Sequence, residues 1–174
     1  MRKIRYGIAM SLDGYIADPN GEANWIVIEP EFDWAALWAQ FDTLLMGRRT
    51  YEAAIARLGE SSMQGMKVIV VSRTLQHSAS PNLTIIREVT KERMQGLRTQ
   101  SASGKDIWLM GGGELFRSML EIHEVDMIEV SLIPVLLGGG VPLLPPPAPQ
   151  TKLTLSQQKV YPSGRISLVY QVQN

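Results

Sequence analysis

Three segments of this 174-residue chain carry residue types suited to a phosphorylated ligand, each where an apolar run gives way to helical spacing. The first is Met46-Gly47-Arg48-Arg49-Thr50-Tyr51. Its glycine admits a ligand close to the backbone, two guanidiniums follow, and a helix start offers free N–H groups. The second, Val70-Val71-Ser72-Arg73-Thr74, ends an apolar run in a hydroxyl and a fixed cation, a pair suited to a phosphate monoester such as a ribose 2′-phosphate. The third, Leu109-Met110-Gly111-Gly112-Gly113-Glu114-Leu115-Phe116, places three glycines before a helical segment, where backbone amides can line a pyrophosphate. Singly, each has a plainer reading as a solvated helix start, a polar strand end or a turn. Gly138-Gly139-Gly140 shows how readily such triplets arise.

The elements that must position these segments alternate. Strand-length apolar runs are expected over residues 4–10, 43–46, 67–71, 83–86 and 107–110, with helical spacing over 49–58, 90–100 and 114–122. That order predicts parallel strands joined by crossover helices, an α/β fold whose ligands bind where strands end and helices begin. Pro30 is placed to open a further helix whose Phe32, Ala35, Leu37, Trp38 and Phe41 form one buried side. The last third differs: strands over 127–132, 153–160 and 166–172 with no helix between them predict an antiparallel edge, the last two joined by a turn at Tyr161-Pro162-Ser163-Gly164. Residues 137–150, rich in glycine and proline, read as an extended loop, and the loop after the first strand, holding Asp13-Gly14 and Trp25, is long enough to be a functional lid.

Composition sets the outer limits. The length fits one domain over residues 1–174, and 45% hydrophobic with 20% charged residues is a globular balance. Lys plus Arg equals Asp plus Glu at 17 each, which gives no broad field for nucleic acid or an anionic membrane. The absence of cysteine excludes disulfides and thiolate chemistry. His77 and His123 lie in different segments without ligand spacing, so no metal site is expected. The four tryptophans lack the interleaved basic residues of a nucleic-acid platform. No apolar run approaches the roughly 20 residues that span a bilayer, the first ten residues lack a continuous apolar stretch, and the expected compartment is the cytoplasm.

The order of the motifs, more than any one of them, resembles the dihydrofolate reductases and, more closely, the C-terminal domain of the riboflavin-biosynthesis deaminase-reductase. The resemblance runs through Ser11-Leu12-Asp13-Gly14-Tyr15-Ile16-Ala17, Leu45-Met46-Gly47-Arg48-Arg49-Thr50-Tyr51-Glu52, Val71-Ser72-Arg73-Thr74, Met110-Gly111-Gly112-Gly113 and Ile133-Pro134-Val135-Leu136-Leu137-Gly138-Gly139-Gly140. It implies a dihydrofolate-reductase-like sheet and an NADPH site. Gly47, Arg48, Arg49 and Thr50 would lie near the phosphates, and Ser72 and Arg73 at the adenosine end. Gly111, Gly112 and Gly113, with Glu114 and Leu115, would lie under the pyrophosphate, with a cis bond at Gly111-Gly112 or Gly112-Gly113.

The same resemblance implies that Asp13 and its loop, with Ser11, Tyr15 and Trp25, face the nicotinamide and a pteridine- or pyrimidine-like ring. Hydride delivery to a C=N or C=C bond leaves an atom needing a proton. Glu31 and Asp33, two positions apart on the expected helix, cannot both face one pocket. Glu31-Phe32-Asp33-Trp34 matches the family's acid spacing with Glu31 as the acid, which leaves Asp33 on the substrate side, the plainer reading of either being a first-turn acid stabilised by the helix dipole. The riboflavin branch has a lysine after its Asp-Gly pair and a glutamate before its Gly-Gly; Tyr15 and Gly111 stand there, which puts the phosphoribosyl substrate in question. The relatives pair through their C-terminal strands, so a homodimer is expected, with Ile128, Val130 and Leu132 as its apolar surface. A nucleotide-binding module without turnover is the alternative reading.

Overall fold

The computed structural model describes residues 1–59, 63, 65–76, 82–100 and 104–173. In chain order the elements are β1 (Ile4–Ser11), β2 (Tyr15–Ala17), α1 (Trp34–Trp38), β3 (Phe41–Gly47), α2 (Arg48–Leu58), β4 (Lys67–Val71), β5 (Leu83–Ile86), α3 (Lys91–Thr99), β6 (Asp106–Gly111), α4 (Gly113–Glu121), β7 (Met127–Ile133), β8 (Val141–Pro142), β9 (Lys152–Val160) and β10 (Ile166–Gln173). Eight strands form one sheet in the order β5-β4-β3-β6-β1-β7-β10-β9. The six from β5 to β7 run parallel, while β10 and β9 pair antiparallel, so the expected α/β architecture and its antiparallel edge are both present.

The burial pattern follows from strand position. Central β3, Phe-Asp-Thr-Leu-Leu-Met-Gly, buries Leu44, Leu45 and Met46 in succession because helices cover both faces. On one face Ile4, Tyr6, Ile107 and Leu109 pack with Met94 and Leu97 of α3 and Phe116 and Met119 of α4. The other face holds Leu44, Met46, Val68 and Val70 against Tyr51 and Ile55 of α2 and Trp38 of α1. Tyr6 stacks on Phe116 at 3.8 Å between ring centroids. Its hydroxyl is buried without a partner, and burial holds its pKa far above the ordinary phenol value.

Two expectations are corrected. The helix expected from Pro30 is only Trp34–Trp38, with no buried residue, and Phe41 opens β3 instead. Asp33 decides the start: its carboxylate accepts from Ala36 N at 2.8 Å, and an Asp N-cap outweighs a proline three residues earlier. Glu31 precedes that helix and Asp33 caps it, so the argument that set them on opposite sides of one helix does not apply. Nor is the segment around Gly138-Gly139-Gly140 plain loop. Val141–Pro142 pairs antiparallel with Tyr15–Ala17, and Leu12 N, held 2.9 Å from Val135 O, joins the same two segments.

Candidate active site

The ends of β3, β4 and β6 supply the three segments, and the parallel register brings them to one edge of the sheet. Met46 pairs with Val70 and Gly47 with Val71, and Met46 also stands opposite Gly111. A β-carbon at Gly47 would stand 3.8 Å from Gly112 N, and one at Gly112 would stand 3.7 Å from Thr50 Oγ1. The two junctions therefore lie within contact distance of one another. Arg48 closes the gap to the third, donating to Thr74 Oγ1 at 2.7 Å and to Glu52 Oε1 at 2.7 Å. Ser72 is buried, its Oγ accepting from Thr74 N and Leu75 N, so it shapes the turn that leaves Arg73 exposed.

Both helices that start here begin at glycine, Gly47 for α2 and Gly112 for α4, and neither has a side-chain cap. Uncapped first-turn N–H groups aligned with a helix dipole attract an anion. Arg49 and Arg73 have no ion-pair or hydrogen-bond partner among the described residues, so two fixed cations stand uncommitted beside those amides. The cis bond is Gly111-Gly112. Gly113 serves packing instead of access: a β-carbon there would sit 2.6 Å from Pro142 O and 2.8 Å from Pro145 Cδ. Leu115 is buried in the core and the Glu114 carboxylate pairs with Arg117 at 2.5 Å, which leaves these two only their backbone groups to offer a ligand.

The side facing the nicotinamide in the sequence reading is built differently. Asp13 is exposed but fully engaged: it accepts from Ser11 Oγ at 2.6 Å, from Leu137 N at 3.1 Å and from Gly138 N at 2.7 Å. The hydroxyl of Ser11, chiefly, and the two amides hold its carboxyl below the ordinary aspartate value. A carboxylate so stabilised is a poor proton donor and a good pin, and it ties the loop after β1 to the one after β7. Ser11 is buried and also accepts from Tyr15 N at 2.9 Å. Tyr15 is half-buried in β2, and Trp25 is half-buried with its Nε1 donating to Glu22 O at 3.3 Å. Glu31 is exposed in the turn before α1, and Asp33 is exposed as the cap of α1.

Two groups near this region escaped the sequence reading. Glu29 and Arg165 are buried and face each other at 3.9 Å, and Arg165 lies over the ring of Tyr161. Neither belongs to a recurring motif; a turn arginine amid aromatics is a weak signal at best. His123 is exposed after α4, His77 lies outside the described residues, and among the described residues no group of three or more metal-ligating side chains occurs.

With this geometry in place, comparison with known proteins is specific. The model of the RibD C-terminal domain matches residues 2–167. The uncharacterized protein YwjB of Bacillus subtilis (strain 168) is 31% identical over 92% of this chain and 92% of its own length, and YyaP of the same organism 28% identical over 97% and 94%. The riboflavin biosynthesis protein RibD of Mycobacterium tuberculosis is 30% identical over 79% of this chain and 44% of its own length. The crystal structure of a putative riboflavin biosynthesis protein from Shewanella sp. PV-4 superposes with a TM-score of 0.83, 25% identity and full coverage of both chains. A pyrimidine reductase-like protein from Corynebacterium diphtheriae shares the fold at a TM-score of 0.70 and 16% identity, over 99% of this chain and 92% of its own. The chain belongs to the RibD C-terminal domain family.

Proposed function

We propose that the protein is a cytoplasmic NADPH-dependent reductase acting on a pteridine- or pyrimidine-type heterocycle. The observation that carries this reading is the meeting of Gly47, Thr50 and Gly112 at two uncapped helix starts, with Arg49 opening α2 and Arg73 following β4, neither partnered among the described residues. Amides in that arrangement suit a pyrophosphate, and a bidentate guanidinium at the end of β4 suits a 2′-phosphate. NADPH supplies a hydride to carbon of a C=N or C=C bond, and the adjoining atom takes a proton. Within the chain, Asp13 holds the covering loops, Tyr15 and Trp25 offer flat faces, and Glu31, without a hydrogen-bond partner among the described residues, is the carboxyl that would relay that proton from solvent to the substrate. Titration with NADPH, followed by nicotinamide fluorescence, is expected to saturate at micromolar cofactor. No binding at millimolar NADPH overturns the enzyme reading.

A second reading has its own observation. Asp13 is fully engaged and Glu31 lies in open solvent, so no described carboxylate on this side is both free and enclosed. A nucleotide-binding module without turnover fits that arrangement. Oxidation of NADPH with dihydrofolate or a riboflavin-pathway pyrimidine, abolished in Glu31→Gln, eliminates it.

A homodimer is also part of the proposal, on a different surface from that expected. Ile128 and Val130 face the core, whereas all nine residues of edge strand β9 are exposed, Leu153, Leu155 and Val160 among them. An open edge of that length presents unpaired backbone groups to a second copy. Sedimentation as a 19.4 kDa monomer at micromolar concentration rules the pairing out.

A further inference from the structure

Residues 19–33 form the longest stretch without strand or helix before α1, and they carry Trp25 and Glu31. Nearly all the hydrogen bonds of this segment are local. Ile26 N donates to Ala23 O, Phe32 N to Glu29 O, Trp25 Nε1 to Glu22 O, and Asp18 Oδ1 gathers Asn20 N and Glu22 N. Apart from bonds to its chain neighbours Asp18 and α1, one hydrogen bond among the described residues ties it to another element: Ser163 Oγ donates to Glu29 Oε1. Its other polar tie is Arg165, whose Nε stands 3.9 Å from the same oxygen.

Arg165 is an unusual partner. Its side chain is 7% exposed and that of Glu29 10%. The guanidinium carbon lies 3.9 Å from the centroid of Tyr161 and 5.1 Å from that of Phe32, so an aromatic ring from the hairpin and one from the segment both flank the cation. Its Nε and Nη2 are buried without a hydrogen-bond partner among the described residues. The π faces and the Glu29 charge are therefore what keep this cation in place, and both Glu29 and Phe32 belong to the segment. The hairpin tip itself is fixed at the functional end of the sheet: Ile166 pairs with Leu132, whose neighbour Ile133 pairs with Ser11, and a β-carbon at Gly164 would touch Pro134 at 3.4 Å.

We propose that Glu29 and Arg165 are positioning residues that latch the segment 19–33 onto the β9–β10 hairpin and thereby set where Trp25 and Glu31 face a bound heterocycle. The latch stands on the contacts alone; only its catalytic consequence rests on the reductase reading. A planar, delocalised cation is required, since an ammonium cannot lie flat between two rings. Opening the latch exposes a buried charge on the hairpin and, among the described residues, leaves the segment tied only to its chain neighbours Asp18 and α1, which makes local opening the expected response to its loss.

Amide exchange followed by mass spectrometry on the apo protein tests this directly, with Arg165→Met and Glu29→Gln compared to the parent. Exchange across residues 22–33 is expected to quicken about tenfold or more in both, with β3, β4 and β6 unchanged. With NADPH saturating, KM for the heterocycle is expected to rise about threefold to tenfold while kcat and the NADPH Kd stay within about twofold, because substrate must then close the segment itself. Arg165→Lys restores the charge but not the plane, and is expected to exchange as Arg165→Met does. Unchanged exchange in residues 22–33, or equal acceleration throughout the sheet, overturns the latch. Faster exchange with an unchanged KM overturns its role in positioning. Failure of the parent to bind NADPH removes the reductase reading and leaves the exchange result to decide the latch.

Discussion

The two ends of the parallel sheet use the same kinds of charged residue in opposite ways. At the N-terminal ends of the strands, Arg2 donates to Asp42, to Thr43 Oγ1 and to the carbonyls of Leu97 and Lys105. Beside it Arg98 binds Glu124 at 2.8 Å, Asp126 at 2.5 Å and the carbonyl of Arg2 at 2.9 Å. These cations are buried and saturated. At the C-terminal ends, Arg49 and Arg73 are exposed without partners among the described residues, and the helices beside them begin on bare glycines. A guanidinium is a structural staple where carboxylates and carbonyls surround it, and is available to a ligand where the fold withholds them. Residue type alone does not tell the two apart.

The sharpest way to break this contrast is at the saturated end. Arg98→Met leaves Glu124, 4% exposed, as a buried charge without its one ion-pair partner among the described residues. The expected loss is ~3–5 kcal/mol in urea denaturation, with NADPH affinity of the remaining folded protein unchanged. At the open end the pattern reverses. Arg73→Ala is expected to weaken NADPH binding about tenfold to a hundredfold, the range for losing hydrogen bonds to a charged group, and to narrow any preference over NADH. Its denaturation midpoint moves little, the change staying within ~0.5 kcal/mol as for other exposed sites. A large stability change in Arg73→Ala, or a loss of NADPH affinity in Arg98→Met, erases the distinction between the ends. Between them lies Gly113→Ala, whose methyl meets Pro142 O and Pro145 Cδ, neither the end of a flexible side chain. About 1–3 kcal/mol of overpacking is expected there, read as a lower Tm.

The strands and the three glycine or arginine junctions were legible because each rests on a local rule. Apolar runs of strand length, such as Val68-Ile69-Val70-Val71, admit few alternatives, and the alternation of periods imposes the crossover order. What escaped depends on contacts between distant residues. The short helix at Trp34–Trp38 was overdrawn because apolar spacing outlived the helix: Phe41 continues the pattern as the first residue of β3. The pairing of Tyr15–Ala17 with Val141–Pro142 is held by Asp13 across 124 residues, and its signature, a glycine with no room for a side chain at Gly140, is visible only when Ala17 O lies 2.1 Å from where a β-carbon would be. Asp13 is expected from the resemblance to face the nicotinamide, and the loop amides that engage it in the structure lie too far along the chain to be read from sequence.

That engagement carries the mildest prediction, because the group is exposed and water screens it. The folded-state pKa of Asp13 is depressed, so the clamp it provides is complete above the unfolded-state value and is lost as pH falls through the folded one. Acidification below the ordinary carboxylate range is therefore expected to free the amides of Leu137 and Gly138. Carboxyl chemical shifts followed through an acid titration should give Asp13 a midpoint below that of an unstructured aspartate, with the Leu137 and Gly138 amide resonances moving in step. Asp13→Asn keeps an oxygen for only part of the three-donor set, so those amides are expected to exchange faster at neutral pH with little change in Tm. Amide signals that ignore the Asp13 titration would mean that β2–β8 pairing and the contact of Leu12 N with Val135 O suffice to join the loops, and the structural duty given to Asp13 would fall away.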